Sequence, residues 1–125
     1  MQVFLVEDSA PIRERLSALL ESVPGTQVLG HAGHAADAIR DILEARPDVV
    51  VLDISLASGS GFDVLRAVRP RAPQIEFFLL SSFAAFPYRQ LAASLGACGF
   101  FDKASEFERL RDAIAERAAA AHQAH

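Results

Sequence analysis

The stretch Val49-Val50-Val51-Leu52-Asp53 constrains this chain more than any other. Its four consecutive apolar residues, three of them β-branched, do not alternate with polar ones, so the run reads as a strand buried on both faces. Such strands belong in the middle of a parallel sheet covered by helices. The run ends in a carboxylate, and Ser55-Leu56-Ala57-Ser58-Gly59-Ser60-Gly61 follows shortly after as a Ser/Gly-rich loop. In an open α/β sheet that end is the crevice where ligands bind, although a lone Asp there is more often a turn former. The rest of the chain decides between the two.

Shorter versions of the pattern recur. Val3 to Val6 forms an expected strand, β1, that stops at Glu7-Asp8. A helix, α1, opens at Ser9-Ala10-Pro11 with a capping residue and a first-turn proline, carries Ile12, Leu16, Leu19 and Leu20 at helical spacing, and ends near Pro24-Gly25. Gln27 to His31 is a weak strand, β2, closed by Gly33; a second helix, α2, presents Ala35, Ile39, Ile42 and Leu43 on one face and stops before Pro47. After the 49–53 strand, β3, a short helix α3 is marked by Phe62, Leu65 and Val68, between the Gly59/Gly61 loop and Pro70 and Pro73. Ile75 to Leu80 is β4, ending at Ser81-Ser82. Pro87 opens α4, which runs through Leu91 to Leu95 until Gly96, and Cys98 to Phe101 forms β5, ending at Asp102-Lys103. Ser105 is the expected cap of α5, whose inner face is Phe107, Leu110, Ile114 and Ala118; a helix-compatible tail runs from Ala118 to His125.

Five strands alternating with five helices, uninterrupted by repeat or linker, predict an α/β fold with a doubly wound parallel sheet and right-handed crossovers, with β3 and β1 innermost. At 125 residues the chain suits a single domain, with a core over residues 2 to 118. Twelve basic and 16 acidic residues are interspersed and the net charge is −4, which speaks against direct binding of nucleic acid or an anionic membrane. The N-terminus reaches two acids too soon for a signal peptide, and no apolar run approaches the roughly 20 residues of a membrane span. Cys98, the only cysteine, excludes an internal disulfide, fits a reducing compartment such as the cytoplasm, and is expected as a small core residue. His31 and His34 have a spacing some metal sites use, but no further ligand accompanies them, so surface or structural roles are expected.

Parallel strands deliver their carboxyl ends to one edge, so Glu7, Asp8, Asp53, Ser81 and Lys103 become neighbours. Two unit charges at about 5 Å in an effective dielectric of about 20 repel by roughly 3 kcal/mol, so three carboxylates there need a positive partner. Lys103 is one; a hard cation such as Mg²⁺, which needs only one or two carboxylates beside a phosphate oxygen, is a compatible second. Between them Asp53 could act as a carboxylate nucleophile toward a phosphoryl group, with the Ser81 hydroxyl donating to one of its oxygens.

The order Glu7-Asp8, Asp53, Ser81, Lys103, with spacings of 28 and 22 residues between the last three, resembles the receiver domain of two-component response regulators, the CheY-like superfamily, across residues 2 to 118. The resemblance implies a flavodoxin-like five-stranded sheet of order 2-1-3-4-5, and that Asp53 is phosphorylated by a sensor histidine kinase or a histidine phosphotransfer protein. It implies that Asp8 binds Mg²⁺ directly beside Asp53, that Glu7 does so through water, and that Ser55 contributes its backbone carbonyl. It further implies that Lys103 pairs with a phosphoryl oxygen, that Ser81 moves onto the phosphoryl group, and that Phe100 swings inward in response. This chain departs from the family in places. Ala104 stands where many members carry proline, and a non-proline cis bond costs about 3 kcal/mol, so a trans bond and a different β5/α5 path are expected. Ala57 replaces another common proline and frees its loop, Phe100 lacks the usual tyrosine hydroxyl and is biased inward, and Ser82 is small enough to admit the phosphoryl group. Phe83 and Phe86 are read as a partner surface.

The function expected is that of a stand-alone receiver: a Mg²⁺-dependent switch that hydrolyses its own acyl phosphate, turns over no external substrate, and signals to a target protein or a second copy through the α4-β5-α5 face. Two alternatives stay open. One is the receiver fragment of a longer DNA-binding transcription regulator, and the other is a receiver-like interaction module that is never phosphorylated.

Overall fold

The computed structural model of the chain describes residues 1–82 and 86–123. Five parallel strands, β1 (Gln2–Val6), β2 (Gln27–Ala32), β3 (Val49–Asp53), β4 (Glu76–Ser81) and β5 (Gly99–Asp102), lie in the order β2-β1-β3-β4-β5. The helices are α1 (Ala10–Glu21), α2 (Ala35–Ala45), α3 (Gly61–Val68), α4 (Phe86–Ser94) and α5 (Phe107–Gln123). This is the doubly wound sheet that the strand pattern predicts, with β3 at its centre and β1 beside it.

The continuous apolar runs are explained by the two layers they separate. Val50 and Leu52 join Phe4, Val6, Phe77 and Leu79 on the face covered by α2 and α3 through Ala38, Ile42, Val64 and Leu65. Val49 and Val51 join Val3, Leu5, Phe78 and Leu80 on the opposite face, against Leu16 and Leu20 of α1 and Leu110 and Ile114 of α5. Successive strand residues point to opposite sides, so a strand between two helical layers has no polar position to offer. Each such side chain contributes about 2 kcal/mol by leaving water, which makes the sheet's centre a rigid platform for the residues at its edge.

The helix ends show where local rules hold. Ser60 caps α3 in a reciprocal box, its hydroxyl accepting the Asp63 N–H at 3.3 Å while the Asp63 carboxylate accepts the Ser60 N–H at 3.0 Å. Ser9 occupies the N-cap of α1 with Pro11 in the first turn, but its side chain makes no capping hydrogen bond. Ser105 is not the cap of α5: the helix starts at Phe107, and the Glu106 carbonyl accepts the Leu110 N–H at 3.1 Å. The start is displaced because the Glu106 side chain is engaged by the Asp102 N–H, which draws that residue to the helix boundary.

Cys98 is also not a core residue. It is exposed, just ahead of the edge strand β5, whose four residues are all only half-buried, and its thiol lies 3.5 Å from a Glu76 carboxylate oxygen. An apolar pattern reports strand character, whereas edge position is decided by the order of strands. His31 and His34 are both exposed, and the described residues contain no cis peptide bond and no helix long and apolar enough to cross a membrane. Phe83 lies outside the described residues; Phe86 is 70% exposed on α4.

Candidate functional site

The sheet edge gathers the expected residues because parallel pairing keeps the strand ends level. Val6 lies opposite Leu52, Asp53 opposite Leu80, and Ser81 opposite Asp102, so Glu7, Asp53, Ser81 and Lys103 follow one another across β1, β3, β4 and β5. Glu7, Asp53 and Ser81 are the buried polar residues of the described chain, while Asp8 is exposed at the mouth. One carboxylate oxygen from each of Glu7, Asp8 and Asp53 lies within 4.8 Å of the others. Ser55 is exposed just past Asp53, in an isolated antiparallel bridge with Ser60.

Lys103 offsets part of this charge. Its Nζ donates to Asp53 Oδ2 at 2.8 Å and stands 2.5 Å from Glu7 Oε1. Burial works against the ammonium, but the hydrogen bonds to Asp53 and Glu7 outweigh it and hold the lysine pKa above its ordinary value. Burial is also the main influence on Glu7; with the neighbouring Asp53 it overcomes Lys103 and raises that carboxyl to about 7. Glu7 Oε1 is thus buried directly against the Lys103 ammonium. The other oxygen accepts the Asp8 N–H at 3.1 Å.

The raised Glu7 pKa has a testable consequence. Between the ordinary carboxyl value of 4.5 and about 7, the folded protein holds a proton that the unfolded chain has released, so stability falls as pH rises through that window. Urea denaturation in chelator should therefore give a midpoint that declines across the window and then levels, and Glu7→Gln should flatten the decline. An equal slope in the variant would refute the assignment to Glu7.

Three converging carboxylates form a hard-oxygen donor set, which fits Mg²⁺ rather than a soft transition metal. Lys103 alone leaves part of the site's negative charge unmatched.

Two neighbours were not singled out by sequence reasoning. Gly61 was read only as a loop residue, yet its N–H donates to Ile54 O at 2.8 Å and a Cβ there would lie 2.3 Å from Asp53 O. Arg89 sits over the half-buried Phe100 ring at 4.9 Å, donates to the Phe100 carbonyl at 3.2 Å and pairs with Glu106 at 3.5 Å. No local signal marks Arg89, because the contact joins α4 to β5 across a tertiary interface.

Comparison with known proteins agrees with the fold. Residues 3–115 match the family described as the response regulator receiver domain. The DNA-binding transcriptional activator DevR/DosR of Mycobacterium tuberculosis is 36% identical over 103 residues, covering 82% of this chain and 48% of that protein. A protein-glutamate methylesterase/protein-glutamine glutaminase of Geobacter sulfurreducens is 33% identical over 103 residues, covering 82% of this chain and 28% of that protein. Among solved structures, a LuxR-family two-component response regulator from Aurantimonas sp. SI85-9A1 superimposes with a TM-score of 0.87 at 28% identity, covering 95% of this chain and 85% of that one. The chain thus spans about half or less of the length of these two curated relatives.

Proposed function

This chain belongs to the response regulator receiver domain family of two-component signalling, and from that premise we propose that Asp53 accepts a phosphoryl group from a histidine kinase or histidine phosphotransfer protein. The observation that carries the reading is the buried Asp53 carboxylate held 2.8 Å from the Lys103 ammonium, with Glu7 and Asp8 beside it. Lys103 holds Oδ2, which leaves Oδ1 as the attacking oxygen. The bond from Oδ1 to phosphorus forms as the P–N bond of the donor phosphohistidine breaks, and the imidazole leaves with its electron pair and then takes up a proton.

Asp8 and Asp53, with the Ser55 backbone carbonyl and with Glu7 through water, would hold the Mg²⁺, whose chemistry is to neutralise charge on the transferring phosphoryl oxygens. Lys103 then pairs with a phosphoryl oxygen, and the Ser81 hydroxyl donates to another. That movement of Ser81 vacates space for Phe100 and reshapes the α4-β5-α5 face, through which a target protein or a second copy is engaged. The acyl phosphate is cleared by its own hydrolysis, so the chain acts as a cytoplasmic switch rather than a turnover enzyme.

Radiolabelled acetyl phosphate is the direct test. Wild type should take up label with Mg²⁺ present and take up none with chelator, and Asp53→Asn should remain unlabelled. Labelling of the variant equal to wild type would overturn the assignment and favour a non-phosphorylated interaction module.

For output, we propose a stand-alone receiver that signals through protein partners and does not itself contact nucleic acid. One observation favours a second reading, a receiver joined to an output domain: DevR/DosR is about twice the matched length. The reading frame beyond codon 125 separates the two.

A further inference from the structure

The aim of the Lys103 side chain is set by a turn that no proline stiffens. Lys103 is followed by Ala104 and Ser105, neither of which restricts φ as proline does, and its ammonium sits at the end of a flexible four-carbon stem. Yet Nζ reaches two buried carboxylates at once, and only 13% of the side chain is exposed.

The backbone around Lys103 is closed by reciprocal bonds. The Lys103 N–H donates to Ser81 O at 2.9 Å, which extends the β4/β5 pairing by one residue. Before it, the Asp102 N–H donates to Glu106 Oε1 at 2.8 Å; after it, the Ala104 N–H donates to Asp102 Oδ1 at 2.7 Å. The Glu106 N–H returns to Asp102 O at 2.9 Å, so residues 102 and 106 clasp each other in both directions. Glu106 is held in turn by Arg109 at 2.8 Å and by Arg89 at 3.5 Å. Arg109 is 75% exposed and contributes little, whereas Glu106 is only 17% exposed. The Asp102 N–H, followed by Arg109, keeps the Glu106 carboxyl below its ordinary pKa, as expected for an acceptor engaged in its ionised form.

We propose that Glu106 is a positioning residue for Lys103: by closing the 102–106 turn onto its carboxylate, it aims the Lys103 ammonium at Asp53 and Glu7. The role of Lys103 in phosphorylation rests on the function proposed above; the clasp itself does not.

The test has two independent arms. In the first, amide hydrogen exchange of Glu106→Ala should rise about tenfold or more at Asp102, Lys103 and Ala104, the loss expected for a hydrogen bond to a charged acceptor, while β1 and β3 amides stay as in wild type. Glu106→Gln, whose amide oxygen still accepts, should recover most of the protection. Unchanged exchange in Glu106→Ala overturns the proposal whatever the protein does with phosphate.

The second arm asks whether Glu106 acts through Lys103. Glu106→Ala should slow acetyl phosphate labelling of Asp53 about tenfold in wild type and not at all in a Lys103→Met background, because only the lysine transmits its effect. Equal slowing in both backgrounds would show that Glu106 acts elsewhere. If wild type takes no label, the phosphoacceptor reading has failed instead, and the same double-mutant cycle read as urea stability decides the positioning role: non-additive losses support it, additive losses overturn it.

Discussion

Lys103→Met should destabilise the metal-free protein by about 3 kcal/mol at about pH 8, and by clearly less at about pH 6. The variant keeps most of the stem's packing and removes the charge. What remains is Glu7 and Asp53, both at most 5% exposed, facing each other without the ammonium that pairs with both. Breaking a buried ion pair from one side leaves an uncompensated charge, which is why the expected loss exceeds that of a surface pair. A proton limits the damage. Glu7 already titrates at about 7 with Lys103 present, so removing the lysine pushes it higher and neutralises the pair at the acidic end of the range. The signature is therefore a loss that grows with pH, together with a larger stabilisation by Mg²⁺ in the variant than in wild type, since a cation then supplies what the lysine did. Equal losses at both pH values, or a loss below about 1 kcal/mol, would mean that Lys103 is a solvated lysine that happens to lie near the acids.

The same residue shows how far the sequence could be read. Lys103 by itself carries no signal; it became a site residue because β5 had to end level with β3 and β1 in a doubly wound sheet. Everything that followed from strand order and continuous burial was legible in this way: the central place of β3, the edge shared by Glu7, Asp53, Ser81 and Lys103, and the convergence of Asp8 with two other acids. What was not legible depends on contacts between elements. Ser105 is chemically the better cap, but the partner that matters is the Asp102 amide, which Glu106 can reach and which no helix rule includes. Cys98 reads as interior from its apolar run, but β5 begins one residue later, at Gly99, and the exposed thiol lies beside Glu76. The inward bias expected of Phe100 meets a guanidinium from α4, and the ring rests half-buried beneath it.

Gly61→Ala should be the most damaging of the small substitutions near the site. A methyl group there would stand 2.3 Å from Asp53 O, 3.0 Å from Asp53 C and 3.1 Å from Ile54 Cα. All three are backbone atoms, so no side chain can rotate away; either the end of β3 or the start of α3 must move. Forcing a methyl into such packing costs about 3 kcal/mol, at the upper end for overpacked cores. The cost falls on function as well, because Asp53 is the residue displaced and its 2.8 Å contact with Lys103 depends on that backbone. We expect Mg²⁺ affinity to drop about tenfold, as when a residue that orients a metal ligand is lost. Gly25→Ala is the control. Gly25 has a positive φ of 80° but nothing within 4 Å of the added carbon. It should lose about 1 kcal/mol to backbone strain with Mg²⁺ binding unchanged. Urea denaturation and Mg²⁺ titration of the two variants thus separate conformational strain from collision. If Gly61→Ala matched Gly25→Ala in both measurements, the loop would be yielding freely, and the close approach of α3 to Asp53 would not be what holds the carboxylate in place.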